Sequence, residues 1–367
     1  PLIILILTIG ILLTIRLKGI QLRKLPLALK HMFAKGEGED GEVSSFGALC
    51  MALSATIGTG NIVGVATAIV TGGPGALFWM WIAAFFGTAT KYAECLLAIK
   101  YRQVAKDGHI VGGPFYYIEK GMGTKYKWLA KMFAVFGVGA GVMGIGTFTQ
   151  INGITGAVKN FFDPTGANTI LLFGREYSLA VVISGLLVTV CAALVIIGGV
   201  KRISSVAQVI VPFMAIAYVT AVLIILVTHA SEIPRAFTEI IEGAFGLRAA
   251  AGGVLGTIMV SVQKGVARGI FSNEAGLGSA PIAAATVKTD EPVEQGLVSM
   301  TGTVIDTLIV CTLTGLSILV TDSWNIGLEG VDVTIRAFQQ GLPFSAEVSS
   351  GILMLCLVFF AFTTILG

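Results

Sequence analysis

The stretch of sequence that decides the fold is Ser54-Ala55-Thr56-Ile57-Gly58-Thr59-Gly60-Asn61-Ile62-Val63-Gly64. It lies inside a long apolar segment, yet it carries three glycines, an asparagine and several hydroxyl groups. A helix that breaks in lipid exposes backbone N–H and C=O groups, which are costly unless something polar satisfies them. The stretch therefore predicts a helix that is interrupted near the bilayer midplane and offers bare backbone to a ligand.

Two other interpretations, close helix packing and a dinucleotide-binding loop, fit only part of this stretch. Glycines also let helices pack closely in membranes, but close packing does not explain the threonines and the asparagine. The spacing of Gly58, Gly60 and Gly64 superficially resembles a dinucleotide-binding loop. That motif needs different glycine spacing, a preceding strand and a later acidic residue, and the sequence has none of these.

A second stretch has the same character about 210 residues later. It reads Gly269-Ile270-Phe271-Ser272-Asn273-Glu274-Ala275-Gly276-Leu277-Gly278-Ser279-Ala280-Pro281. Two glycine-interrupted helices in corresponding positions of two halves are the sequence signature of an inverted-repeat transporter. We therefore expect two discontinuous helices that face each other across a transport site.

Composition places the chain in a membrane. Hydrophobic residues make up 55% of the sequence and charged residues 12%, against roughly 25% charged residues in soluble domains. Apolar runs long enough to cross a hydrocarbon core recur along the chain. The sequence predicts an all-α polytopic membrane protein with nine crossings, at about 1–18, 43–70, 74–105, 128–158, 178–199, 202–228, 250–285, 295–320 and 346–367.

Positive charges predict the orientation. Sixteen Lys and Arg residues fall on one side of the predicted membrane and five on the other, so the richer side should be the cytoplasm. The N-terminus is then outside, and the first interrupted helix runs from inside to outside. These charges alternate between loops and do not follow one face, so no nucleic-acid partner is expected.

The crossings also predict a division of the chain into three parts. Residues 1–42 form an extra N-terminal transmembrane helix and a basic amphipathic segment. Residues 43–228 form the first inverted repeat, of five helices, and residues 250–367 the second. The second part is shorter than the first, which predicts that C-terminal helices are missing from this chain.

Polar groups at the two interruptions are the candidate substrate ligands. Free amides at Gly58, Thr59, Gly60 and Asn61 start a half-helix and present partial positive charge, which suits a substrate carboxylate. Carbonyls of Phe271, Ser272 and Asn273 suit a substrate ammonium, with the phenylalanine ring as a cover. Gln150 lies in a glycine-rich helix, where its amide either faces a cavity or bonds to a neighbouring helix.

Other polar residues in the apolar helices have either a functional or a structural role. Glu274 is a functional candidate by its depth, or a structural carboxylate paired with Lys264 or Arg268. Asp306 is a lone acid in an apolar helix, with either role. Lys91 and Glu94 are spaced to pair on one helix.

Four motifs of the sequence resemble those of a known family. They are Gly58-Thr59-Gly60-Asn61-Ile62-Val63-Gly64, the stretch from Gly72 to Gly87, the loop from Gly112 to Ile118, and the stretch from Phe271 to Pro281. Together they resemble the alanine/glycine:cation symporters, or sodium:alanine symporters, over essentially the whole chain.

The resemblance implies a LeuT-type inverted-repeat fold with one extra helix in front. It implies small neutral amino acids as substrates, alanine and glycine first, driven by co-transported sodium or sometimes by protons. In such folds one sodium lies between the first broken helix and the eighth helix of the repeat core. By position this points to Ser54 and Ile57 with Ala361 and Thr364.

The expected function is sodium-coupled import of small neutral amino acids by alternating access, at the plasma (cell inner) membrane. The protein is expected to be a monomer in membrane lipid, with no organic cofactor and no enzymatic activity. A proton-coupled amino-acid permease and an ion channel are the other interpretations. A channel would need a pore lined by repeated carbonyls, and the sequence contains no such repeat.

Overall fold

The computed structural model describes residues 2–33, 42–106, 109–172, 174–246 and 254–367. The described chain is mostly helical, as predicted. Its α-helices, numbered in chain order, are α1 Leu2–Arg16, α2 Ile20–Arg23, α3 Leu25–Met32, α4 Ser45–Thr56, α5 Val65–Gly72, α6 Gly75–Lys100, α7 Pro114–Gly121, α8 Lys127–Val142, α9 Ile145–Phe162, α10 Leu179–Ile196, α11 Gly199–Thr228, α12 Ile233–Ala244, α13 Val254–Asn273, α14 Ala280–Ala285, α15 Pro292–Thr303, α16 Thr312–Val320, α17 Val331–Gly341 and α18 Ala346–Leu366.

Short irregular helices and two small hairpins complete the described chain. Wide π-helical turns occupy Gly60–Gly64 and Val304–Cys311, and 3₁₀ turns occupy Thr124–Tyr126 and Ala230–Glu232. The sequence did not predict the hairpins, which are antiparallel and lie between helices. Their strands are β1 Gln103–Val104 with β2 Ile110–Val111, and β3 Thr169–Leu172 with β4 Arg175–Ser178.

Six helical segments of the described chain are long and apolar enough to cross a membrane, and a bent pair, Ser45–Thr56 with Gly60–Gly72, makes a seventh. The other two predicted crossings correspond to α1 and α13. Helix α1 has 15 residues, or about 22 Å at 1.5 Å per residue. Helix α13 has 20 residues but carries Gln263, Lys264 and Arg268, which lower its apolar character.

The predicted continuous helix over 128–158 is wrong in one respect. The chain is interrupted at Gly144, which has φ of +60° and separates α8 from α9. Glycine occupies this left-handed conformation without the steric cost that a Cβ imposes. Beyond this residue, α9 packs against α18 and α10.

Helix α6 lies at the centre of the bundle and packs against α13, α15 and α1. Small residues allow these close contacts, as is common between membrane helices. A Cβ on Gly269 would lie 3.2 Å from the backbone oxygen of Met80, and one on Gly296 would lie 3.0 Å from that of Tyr92. This packing fixes the position of α13, whose C-terminal end forms one side of the site below.

Two parts of the predicted division lie outside the described residues. They are the end of the basic amphipathic segment, at residues 34–35, and the predicted start of the second unit, at residue 250. Within the described part, α2 and α3 form the amphipathic segment, and α3 packs against α15.

Candidate functional site

The first interruption lies between α4 and α5, where the chain bends by 53°. Helix α4 ends at Thr56, and Ile57 is extended, with φ of −77° and ψ of 94°. The amide of Gly58 donates to Asn61 Oδ1 at 2.9 Å, and the amide of Thr59 donates to Gln150 Oε1 at 3.0 Å. Side-chain amide oxygens therefore satisfy two backbone N–H groups that the interruption exposes.

Glycine is required at position 58 by its surroundings. A Cβ there would collide with Thr364 Oγ1 and would lie 3.0 Å from Gln150 Oε1. The interruption is thus enclosed by α9 on one side and α18 on the other. This crowding leaves room beside Gly58 for little more than a methyl group, and only if those side chains shift.

The second interruption lies between α13 and α14, and it is shorter than the quoted stretch. Helix α13 continues to Asn273, and the chain leaves helical geometry at Glu274, which has φ of +53°. A glutamate in this conformation is uncommon and marks a site that its surroundings hold in place. Asn273 Oδ1 accepts the amide of Ala275 at 3.0 Å and so forms a turn just after the end of α13.

Phe271, Ser272 and Asn273 consequently lie in the last turn of α13, not in unwound chain. The carbonyls of a final helical turn have no intrahelical donor. They carry partial negative charge at the C-terminal end of the helix. The last turn therefore leaves carbonyl oxygens without helical donors, and the binding of a substrate ammonium by these three residues stays a prediction.

A buried polar cluster joins the two interruptions, and we call it the Asp306 cluster. Asn61 Nδ2 donates to Asp306 Oδ1 at 2.7 Å and contacts Ser272 Oγ at 3.2 Å. Ser272 Oγ and Thr307 Oγ1 each donate to Asp306 Oδ2 at 2.7 Å. Cys311 Sγ lies 3.3 Å from Asn61 Nδ2.

Asp306 is fully buried and forms no ion pair with any residue of the described chain. Burying a carboxylate costs a large free energy unless hydrogen bonds compensate it. Here three donors, from Asn61, Ser272 and Thr307, converge on the two carboxylate oxygens. The cluster therefore fixes the two broken helices to each other through one carboxylate.

Sequence reasoning noted Asp306 but did not place it at the site. The signal was present, because an acid within an apolar crossing is rare and usually faces the bundle interior. What the sequence lacked was the direction of the side chain. Asp306 lies in the π-helical segment Val304–Cys311, where the wide turn changes which residues face inward.

The predicted sodium ligands converge in part. Thr364 Oγ1 donates to the carbonyl of Ile57 at 3.1 Å, so α18 contacts the end of α4 directly. Ala361 is fully buried one turn earlier on α18. The hydroxyl of Ser54 donates to Met51 O at 2.7 Å within its own helix. Thr363 bonds likewise within α18.

Of the predicted ion pairs, the one between Lys91 and Glu94 is present, and the one proposed for Glu274 is absent among the described residues. Glu274 accepts a short hydrogen bond from Ser279 and forms no ion pair with Lys264 or Arg268, all of them described residues. The predicted pairing of Lys91 and Glu94 is present, with 3.8 Å between Nζ and Oε1, and both are buried.

Two cavities reach the interruptions from opposite ends of the first broken helix. The Arg268 cavity, of about 180 Å³, is lined by Thr59, Gly60, Gly64, Asn152, Arg268 and Phe271 among others. The Glu274 cavity, of about 280 Å³, is lined by Ala52, Thr56, Glu274, Ser279 and Gly367 among others. Between them lies the closed region formed by Gly58, Gln150 and the Asp306 cluster.

Comparison with known proteins identifies the family. The model of the sodium:alanine symporter family matches residues 1–367. An uncharacterized transporter of Haemophilus influenzae is 54% identical over the whole chain and 77% of its own length. The sodium/alanine symporter AgcS of Methanococcus maripaludis is 46% identical over 99% of the chain and 77% of its own length.

A solved structure shows the same fold. The crystal structure of MhsT in complex with L-phenylalanine matches with a TM-score of 0.60, over 90% of this chain and 72% of that one, at 15% identity. MhsT has the LeuT fold, so the likeness supports the predicted LeuT-type architecture. The family resemblance drawn from the motifs is confirmed. The chain belongs to the sodium:alanine symporter family, and it is a multi-pass membrane transporter and not an enzyme.

Proposed function

We propose that the chain imports small neutral amino acids, alanine and glycine, together with sodium by alternating access. The observation that carries this proposal is the Asp306 cluster, which holds two interrupted helices face to face. The backbone amides and carbonyls that the two interruptions expose would then serve one substrate. The printed name of the relative AgcS, a sodium/alanine symporter, supports the same substrate and ion.

The substrate carboxylate would bind the amides at the start of the second half-helix. Thr59 N–H now donates to Gln150 Oε1, and a carboxylate oxygen is the same kind of acceptor with more charge. We propose that the carboxylate displaces the Gln150 oxygen and that Gln150 Nε2 then donates to the substrate. The amide of Gly60 lies next in the chain and adds to this anion site.

The substrate ammonium would bind the carbonyls of the last turn of α13. Phe271, Ser272 and Asn273 supply these carbonyls, and the helix C-terminus favours a cation. The carboxylate of Asp306, one hydrogen bond away from Ser272, adds negative potential. Thr364 and Gln150 crowd the chain at Gly58, and we propose that this crowding favours the small side chains of glycine and alanine.

Sodium would bind between α4 and α18. It prefers oxygen ligands, as hard cations do. Its ligands would be the carbonyls of Ser54, Ile57 and Ala361 and the hydroxyl of Thr364. In the present arrangement the Thr364 hydroxyl donates to Ile57 O. Rotation of that hydroxyl would expose two acceptor oxygens to an ion without moving a helix.

The architecture that we propose for this transport contains the two inverted repeats predicted from the sequence. Residues 43–228 and 250–367 contribute one interrupted helix each, and residues 1–42 stand before them. With the N-terminus outside the plasma membrane, the Arg268 cavity opens outward and the Glu274 cavity inward. Sodium binding at α4 and α18 would stabilise the outward-open state and prepare the substrate site. The working unit proposed is a monomer in lipid.

Proton coupling is the competing mechanism, because Asp306 and Glu94 are buried carboxylates that could carry a proton. The two mechanisms differ in the gradient that drives uptake. Purified protein in proteoliposomes should take up labelled alanine when sodium is outside, and not when choline replaces sodium under a pH gradient. Unlabelled alanine and glycine should compete, and glutamine and phenylalanine should not. Uptake that rises linearly with concentration and ignores sodium would reject the proposal.

A further inference from the structure

Arg268 is a cation that lies beside the proposed substrate path. It lies one turn before Ser272 on α13 and is half-buried. Among the described residues it forms neither a hydrogen bond nor an ion pair. Its guanidinium carbon lies 5.9 Å from the centre of the Phe271 ring, and its side chain approaches Gly64.

Two other arginines of the described chain are satisfied by the protein. Arg102 donates to the carbonyls of Val287 and Thr289 at 2.5 and 2.9 Å. Arg235 binds Glu232 and Glu239 at 2.8 and 2.9 Å, and these partners raise the pKa of Arg235 above its ordinary value. A guanidinium has five N–H donors and stays charged. Leaving it unpaired inside a membrane helix is costly, so a ligand is the natural partner.

The surroundings of Arg268 indicate the charge and kind of that ligand. It lines the 180 Å³ cavity with Thr59 and Gly60, which belong to the first interruption. It also lines a neighbouring cavity of about 320 Å³ together with Lys264, one turn earlier on α13. Lys264 likewise forms no ion pair with a described residue. Arg268 therefore faces a cavity that reaches the interruption, with a second cation beside it, and this arrangement favours an anion.

We propose that Arg268, assisted by Lys264, is an entry site for the carboxylate of the incoming amino acid. This inference rests on the proposed function, and it adds a binding station before the interruption. Arginine suits the role because its planar fork binds both oxygens of a carboxylate. A chloride ion or a lipid phosphate shares the charge, but a carboxylate is favoured because the cavity continues to the amides of Thr59 and Gly60.

Phe271 lies between Arg268 and Gly60 along the cavity that they share. A Cβ built on Gly60 would lie 3.6 Å from the Phe271 ring, and the same ring lies under the Arg268 guanidinium. The ring is 43% exposed, towards the cavities that it lines. An amino acid held by its carboxylate at Arg268 must pass this ring to reach Thr59. Arg268 therefore acts on capture of the substrate, and not on the translocation step.

The test compares Arg268→Gln with Arg268→Lys in the full-length transporter, using initial rates of labelled L-alanine uptake at saturating sodium. Arg268→Gln should raise the KM about 5- to 20-fold, the range for one partly exposed charge-assisted contact, with Vmax within about twofold. Arg268→Lys should recover much of the affinity. Arg175→Gln, which removes an exposed arginine from the hairpin β3–β4, is the matched control and should leave KM unchanged.

Two further arms identify the ligand. Alaninamide lacks the carboxylate, so its inhibition constant should not change in Arg268→Gln, and an equal loss for alanine and alaninamide would overturn the proposal. Replacing chloride with methanesulfonate should not affect the wild type. A chloride requirement that disappears in Arg268→Gln would assign the residue to an inorganic anion and overturn it too.

Two controls separate failure of the entry site from misfolding of the variant and from failure of the proposed transport function. If Arg268→Gln fails to elute as folded protein on size exclusion, Lys264→Gln carries the test, with an expected rise in KM of about two- to fivefold. An unchanged KM in a folded variant rejects the entry site alone. Wild-type protein without sodium-driven alanine uptake rejects the proposed function instead.

Discussion

Replacing Asn61 by alanine is the substitution that bears most directly on the paired interruptions. Asn61 Oδ1 accepts the amide of Gly58 at 2.9 Å, and its Nδ2 donates to Asp306 Oδ1 at 2.7 Å. Truncation removes both contacts and leaves a buried N–H and a buried carboxylate oxygen without those partners. Each such group costs about 1–3 kcal/mol, so we expect a combined loss of about 2–6 kcal/mol in the free energy that holds the interruptions together.

Asn61→Ala should reduce alanine uptake more than it reduces the yield of folded protein. Membrane insertion should persist, because the apolar helices remain. Sodium-dependent alanine uptake per folded molecule should fall about tenfold or more, since each 1.4 kcal/mol lost from the substrate site is a factor of about ten in affinity. The assay is labelled alanine uptake into proteoliposomes, normalised to the monodisperse protein that is recovered by size exclusion.

Asn160→Ala provides the matched control. Asn160 Nδ2 also donates to an aspartate, Asp332 Oδ1 at 3.2 Å, but this pair is exposed and lies away from the interruptions. Its loss should change stability by less than about 0.5 kcal/mol and leave uptake unchanged. Normal uptake by Asn61→Ala would refute the reasoning, because the interruption would then be only a packing device.

Three further predictions concern single contacts. Thr364→Val removes the hydroxyl that contacts Ile57 O and should raise the sodium concentration for half-maximal uptake about tenfold. Thr363→Val, which removes a hydroxyl that bonds within α18, should leave that concentration unchanged. Equal values for the two variants would contradict the sodium assignment. Gly58→Ala places a methyl group against Thr364 and Gln150 and should abolish uptake, whereas Gly156→Ala, which meets open space, should be tolerated. Hydrogen bonds from Ser178 and from the amides of Asn168 and Ala167 lower the pKa of Asp163, outside the crossings. The stabilisation from ionised Asp163 is present above the unfolded pKa of about 3.9 and is lost as the pH falls through the lower native pKa. Amide exchange at residues 163–178 should therefore become faster only in strong acid. In Asp163→Asn, which has no carboxyl group to titrate, this acid-dependent increase should be absent.

The two interruptions could be predicted from the sequence because their composition conflicts with a continuous membrane helix. Glycine with asparagine and threonine at residues 58–61 has no use in plain helix packing, and the same holds for residues 272–278. The structure places both interruptions within the predicted stretches. It shortens the second, because α13 stays helical through Asn273 and the chain leaves helical geometry only at Glu274.

The Asp306 cluster could not be assembled from the sequence. An isolated acid in a helix of uniform apolar character has no periodic pattern to show which way it faces. The π-helical turn at Val304–Cys311 shifts that direction further. The hairpin β3–β4 was missed for a related reason, since its short strands lie between long apolar helices and have little alternation of their own.

Concentrative transport tests the central claim most directly. Proteoliposomes that contain the full-length protein, loaded with potassium and diluted into sodium, should accumulate labelled alanine to an internal concentration well above the external one. Collapsing the sodium gradient with a sodium ionophore should release the accumulated alanine. Accumulation that survives collapse of the sodium gradient, or an internal concentration that never exceeds the external one, would contradict sodium-coupled symport.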